Sequence, residues 1–323
     1  MYGKWYNIFM IKRVLWLGAI VGLVWYFLPQ IEDKNGSQEI IVSNFALYDS
    51  VRNIIGEDKS VRMLIPLGKD AHLFKPNPKD IVALAQSKHF FYVSEGMDNW
   101  VENLSALEEI KNRTDLSSTI SWKRGHCEHE DHHEHGHLDS DHDLDEENHA
   151  LDPHYWLDID NQIATTQAIA EVLYQLYPLE KDLFKEKVQA YIKRMKAIET
   201  RYQSKLQVCK QSVLFVTHDA FGYLSARYGF ETHPILGLAS DAQVDPHTMQ
   251  ELIQALEKSE NKIIFFESFV SDQLAQTIAK ATGANVDVLQ TLATVQLKDE
   301  KVPSYESLMY TNLEKISEAM LCP

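Results

Sequence analysis

This 323-residue chain predicts an α/β fold, two doubly wound α/β lobes joined by one long helix. Three observations predict it. Short apolar runs alternate with helical periodicities in two separate stretches, the pattern of parallel strands covered by helices. Between those stretches, Asn161 to Val208 carries apolar residues at spacings of three and four, with Pro178 its one proline. The composition is 45% hydrophobic and 10% aromatic at a length comfortable for two cores of ordinary size.

The elements follow in order. Lys12 and Arg13 precede Val14 to Leu28, fifteen residues without a charge. A basic start before an apolar run marks an export signal or a membrane anchor across residues ~10–28. The run is shorter than the roughly 20 residues of a comfortable span. It has no Ala-x-Ala site and no following cysteine for lipid attachment, so cleavage and anchoring both stay open. A polar linker closes this leader at residue 37. The N-terminal lobe is expected over 38–160, with strands at Ile40–Ser43, Met63–Pro66 and Phe90–Ser94 and helices at Phe45–Ile55 and Pro78–Ser87. The linking helix is expected over 161–208, kinked or interrupted near Tyr177–Pro178. The C-terminal lobe, 209–323, should hold strands at Val213–Val216, Pro234–Leu236, Ile263–Phe266 and Val286–Leu289. Its helices should be Thr248–Ser259, Ser271–Thr282 and Tyr305–Leu321.

One segment belongs to neither pattern. Gly125 to His149 holds ten carboxylates and eight histidines: His126, His129, His132, His133, His135, His137, His142 and His149, with Cys127 among them. So polar a stretch cannot enter a core, and imidazole at this density attracts metal ions. It contributes −10 to a net charge of −16, leaving −6 over the rest of the chain. No basic patch remains, which excludes nucleic acid as a partner. Of the other cysteines, Cys209 and Cys322 could pair in an oxidising compartment, a question sequence spacing leaves open.

Six histidines lie outside the loop. His89 and His247 sit at a helix end and a helix start, and both are expected at the surface. His72 follows a predicted strand in PLGKDAHLFKPNP, His154 precedes the long helix in DPHYWLD, and His218 ends a strand in LFVTHDAFGYL. Loops beyond strand ends are where α/β sheets present functional groups. Three neutral imidazoles and a water suit tetrahedral zinc and not the oxygen-seeking magnesium or calcium.

These residues carry a resemblance covering nearly all of ~38–320. The segments SNFALYDSVRNIIGED, LIPLGKDAHLFKPNPKDI, HALDPHYWLDIDN, VTHDAFGYLSARYGF and IIFFESFVSDQLAQTIAKATGANV resemble the zinc/manganese solute-binding family of metal-uptake ABC transporters. The resemblance implies metal ligands at His72, His154 and His218 at the lobe interface. It places Glu267 between the lobes, and puts an acidic His-rich insert just before the second ligand, as in zinc-type members. It implies an exported periplasmic or cell-envelope protein, expected as a monomer, that hands its ion to an ABC permease and ATPase. The helical connection implies release by local loop shifts rather than wide opening. Glu267 and Asp219 are candidates for a fourth ligand or for orienting an imidazole. Trp156 and Tyr223 are expected to pack near the cleft.

Zn²⁺ is favoured over Mn²⁺ because position 218 is histidine and the segment VDVLQTLATV supplies no carboxylate at Gln290 to Ala293. The His-rich loop reads as an antenna that raises local metal concentration, or as a docking element for an accessory zinc protein. Two other classes compete. A zinc hydrolase would use Glu267 as a base, but no HExxH motif spans His72, His154 or His218. A storage or adhesion protein would work through the loop alone.

Overall fold

The computed structural model describes residues 39–101, 110–125, 151–236, 238, 246–267, 273–299 and 301–323. The leader, the linker and the His-rich segment from His126 to His149 lie outside them. Everything described belongs to one unit, Glu39–Pro323.

Two four-stranded parallel sheets carry the fold. In the first, β1 (Ile40–Val42), β2 (Val61–Met63), β3 (His89–Tyr92) and β4 (Arg113–Asp115) lie in the order β2-β1-β3-β4. In the second, β5 (Val213–His218), β6 (Glu231–Leu236), β7 (Ile263–Phe266) and β8 (Asn285–Val288) repeat that order as β6-β5-β7-β8. In each sheet the order of winding therefore reverses between the first and third strands, the position at which open α/β sheets form a crevice.

Period-two alternation splits the strands between two faces. Ile40, Val42 and Phe91 turn into the main core, while Ile41, Phe90 and Tyr92 turn outward into a smaller cluster with Leu84 and Trp100. The second sheet does likewise: Leu214, Val216 and Phe265 face the main core, Phe215 and Ile264 an outer cluster with Leu252 and Ile278. The main core runs unbroken from one sheet to the other.

The helices between the sheets explain that continuity. Helix α1 (Phe45–Ile55) is capped by Asn44, whose side chain accepts from the Leu47 amide. Helix α2 (Pro78–Gln86), on the outer face of the first sheet where Leu84 packs, opens with a capping box of Asn77 and Asp80. The expected linking helix is two helices, α3 (Ile159–Leu176) and α4 (Lys181–Leu206). Pro178 excludes the helical conformation at Tyr177, which sits at φ −135° and ψ 65°, so the interruption is a full break. The spine is thus α4 alone, 26 residues or about 39 Å at the usual rise. Its buried stripe, Phe184, Val188, Tyr191, Met195, Ile198, Tyr202 and Leu206, spans both halves. Near its middle Tyr191 Oη donates to Asp49 Oδ2 of α1 at 2.6 Å. Near its C-terminal end, Tyr202 Oη donates to the Met309 carbonyl at 2.7 Å.

The remaining helices are α5 (Gly222–Tyr228), α6 (Pro246–Lys258), α7 (Gln273–Thr282) and α8 (Tyr305–Ala319). Helix α8 begins against the first lobe, where Tyr305 N donates to Asp49 Oδ1, and ends in the second. Cys209 and Cys322 form a disulfide that ties the chain after α8 to the chain after α4. Among the described residues no helix is long and apolar enough to cross a membrane.

Three expectations need correction. Strand β2 lies two to three residues earlier than Met63–Pro66: Leu64 and Ile65 are buried but lie past the ladder, just before Pro66. Strand β4, Arg-Thr-Asp, has no apolar run to reveal it. His89 is not a surface residue. It opens β3 in the sheet interior, with Nε2 2.8 Å from Thr114 Oγ1 and burial pushing its pKa down to about 4. His247 is exposed, as expected.

Candidate metal centre

His72, His154 and His218 converge on one point between the sheets. Their candidate donor atoms all lie within 4.8 Å of one another. The Nε2 atoms of His72 and His154 are 3.2 Å apart, and those of His154 and His218 3.3 Å. All three ring pairs have centroids 5.1 Å apart. A tetrahedral ion with bonds of about 2.0 Å needs ligand atoms about 3.3 Å apart, so this spacing fits zinc-like coordination.

Each histidine reaches the point by its own route. His218 is the last residue of β5, at the switch point of the second sheet. His72 and His154 stand on loops, and both follow an aspartate two residues upstream. Asp70 Oδ1 accepts the His72 amide at 2.9 Å, and Asp152 Oδ1 accepts the His154 amide at 3.0 Å. Such Asx turns fix the backbone beneath each ring. Asp152 Oδ1 also lies 2.8 Å from His154 Nδ1, which assigns the proton to Nδ1 and turns the Nε2 lone pair toward the cluster.

Burial sets the electrostatics. His154 is fully buried; desolvation and the neighbouring His72 hold its pKa well below the ordinary value, so the ring is neutral and able to ligate. His72 is half-buried and forms the open side of the cluster, followed by Leu73 on the surface.

Glu267 follows β7, adjacent to β5, and turns inward. Its Oε1 is 3.5 Å from His218 Nε2, and its Oε2 accepts from Thr291 Oγ1 at 3.2 Å. Burial pushes its pKa up to about 7, with the Thr291 hydrogen bond opposing and Asp70 adding to the rise. An arriving cation would favour the ionised form. The structure therefore brings Glu267 to the cluster. Asp219 is buried beside His218, and Asp152 lies within hydrogen-bond distance of the His154 ring. The D-x-H spacing in DAH and DPH was the available signal for it.

Trp156 and Tyr223 do more than pack. Trp156 lies edge-on to His154, with ring centroids 5.8 Å apart, and its Nε1 donates to the Thr291 carbonyl at 2.8 Å. Tyr223 Oη accepts from Lys123 N at 3.0 Å and donates to the Asp152 carbonyl at 3.2 Å. Burial holds its phenol well above the ordinary pKa, so the donated proton stays.

Two parallel α/β lobes on a helical spine, with imidazoles converging between them, define a solute-binding protein of the metal-capturing type. Residues 40–319 match the family of zinc-uptake complex component A, periplasmic (ZnuA), and the chain belongs to that family. It is 28% identical over 317 residues to the zinc-binding protein AdcA of Streptococcus pyogenes serotype M3, covering 95% of this chain and 61% of that relative. The chain thus spans less than two thirds of that relative's length. It is 25% identical to the high-affinity zinc uptake system protein ZnuA of Bacillus subtilis, covering 99% of each. The fold is shared with the laminin binding protein Lmb of Streptococcus agalactiae, described as bifunctional with adhesin and metal transporting activity. That match has a TM-score of 0.74 at 24% identity and covers 88% of this chain and 99% of that one.

Proposed function

We propose that this chain captures zinc outside the cytoplasm with His72, His154 and His218 and delivers it to an ABC-type permease driven by its ATPase. The observation that carries the reading is the 3.2–3.3 Å spacing of the Nε2 atoms, with His154 oriented by Asp152. Three nitrogen donors with room for one further oxygen favour zinc over manganese. Glu267 is the nearest protein candidate for that fourth place, and otherwise accepts hydrogen bonds beside it. Family membership supports a binding role rather than a hydrolase.

The lobes, 38–160 and 209–323, act as the two jaws. Their continuous core supports release by shifts of the His72 loop rather than by wide opening. The segment 125–149 serves as an antenna feeding the cluster, consistent with its ten carboxylates and eight histidines. Residues ~10–28 export the chain or anchor it.

Competition titration of the full chain with zinc and manganese tests the capture step. One zinc site at least about 100-fold tighter than the rest is expected, with weaker extra zinc lost on deleting 125–149. Several equal weak sites would instead indicate storage through the loop. Delivery predicts slower uptake of radioactive zinc, at limiting supply, by cells lacking the chain; unchanged uptake would remove the transport half.

A further inference from the structure

We propose that Tyr223 is a positioning residue that sets the separation of the two lobes' ligands by strapping the stem of the His-rich insertion to the second lobe. The inference rests on the zinc-capture reading above. The two ends of the insertion meet at a stem: Arg124 and Leu151 form an antiparallel bridge, and Asp152 N donates to the Lys123 carbonyl at 2.8 Å. Tyr223 Oη closes the stem from the opposite lobe, bonding one atom on each side of it, Lys123 N and the Asp152 carbonyl.

Both attachments lead directly to ligands. On the stem side, Asp152 is the residue whose carboxylate holds the backbone and ring of His154. On the other, Tyr223 stands in the first turn of α5, five residues after His218 at the end of β5. One hydroxyl therefore fixes a first-lobe ligand segment against a second-lobe one, across the gap where His154 and His218 stand 3.3 Å apart. Gly222 makes the close approach possible. A Cβ there would lie 2.9 Å from Asp152 Oδ2 and 3.2 Å from Lys123 Cε. Tyr223 is itself buried, so its hydrogen bonds are shielded from competing water.

The strap acts on retention rather than on ligand identity. In the full chain, Tyr223→Phe keeps the ring and removes the hydroxyl, and Gly222→Ala presses on Asp152 with the hydroxyl intact. Both are expected to release bound zinc about tenfold faster to a chromophoric chelator, the size typical of losing support behind a metal ligand. The cobalt-substituted visible spectrum should keep its band positions, and metal-free unfolding should stay a single transition, its midpoint lowered only by the lost hydrogen bonds. Amide exchange at Lys123 should rise in Tyr223→Phe. A general packing defect would broaden the transition and move the spectrum with the rate, and would overturn the proposal. So would release within twofold of the parent in both variants. If the parent itself shows no tight zinc, the capture reading falls, an outcome separate from either.

Discussion

The two lobes have the same strand order, yet they supply the cluster in different ways. In the second, His218 ends β5 and Glu267 follows β7, so both groups stand at the switch point where the strands themselves aim them. In the first, the corresponding strand ends carry Ser43 and Asn44 after β1 and Val93 and Ser94 after β3. Its histidines arrive instead on loops, each over an Asx turn from an aspartate two residues back. A strand end needs no further support, because the sheet already orients it. A loop does, and the D-x-H turns with the Asp152–Nδ1 contact provide it.

That difference can be broken or sharpened by substitution. The largest effects should come from His154→Ala and His218→Ala, each removing a buried nitrogen donor, with zinc affinity falling by about a thousandfold or more. His72→Ala, on the half-buried side where water can replace the ring, should cost less in the same competition titration. Equal losses at all three would remove the distinction between the buried pair and the open side.

Next in size is Asp152→Asn, expected to weaken zinc about 10- to 100-fold by loosening the tautomer of His154. Nitrogen NMR of the imidazole should show the Nδ1 proton lost from its single environment. Asp219→Asn should change affinity less, since His218 is aimed by the end of β5 while His154 stands on a loop held by Asp152. The reverse ranking would show that the second lobe also depends on a supporting aspartate.

The smallest effect concerns stability and belongs to the first lobe. His89 has a folded pKa of about 4 against an ordinary 6.5. As pH falls below 6.5, the unfolded chain takes up a proton that the folded chain accepts only near 4, so stability drops across that window. His89→Gln should flatten this acid-side loss by about 1–2 kcal/mol, part of the effect being screened by nearby solvent. Urea unfolding at pH 7 and pH 4.5 measures it. An unchanged slope would mean that the buried ring is not what titrates.

Much of this was legible in the residues. Apolar runs such as IIFF and VLFV announce buried strands, and the histidines after strands stood out once the eight of the loop were set aside. What escaped had physical reasons. Arg113–Asp115 forms an edge strand through backbone pairing and polar side-chain contacts, which leaves no hydrophobic trace. His89 looked like a helix-end residue, and only its place opposite Thr114 in the sheet buries it. Pro178 marked the break in the spine without showing that α3 and α4 would be separate helices. Tyr223 looked like ordinary packing because its two partners lie 100 and 71 residues away.

The proposed capture rests on three imidazoles, one from the open side and two buried, holding the ion. X-ray absorption of the full chain with one equivalent of zinc tests it most directly. Three imidazole nitrogens and one oxygen at about 2.0 Å are expected, with loss of that shell in the His72→Ala, His154→Ala, His218→Ala triple variant. A sulfur-containing shell, or a spectrum unchanged in the triple variant, would contradict it.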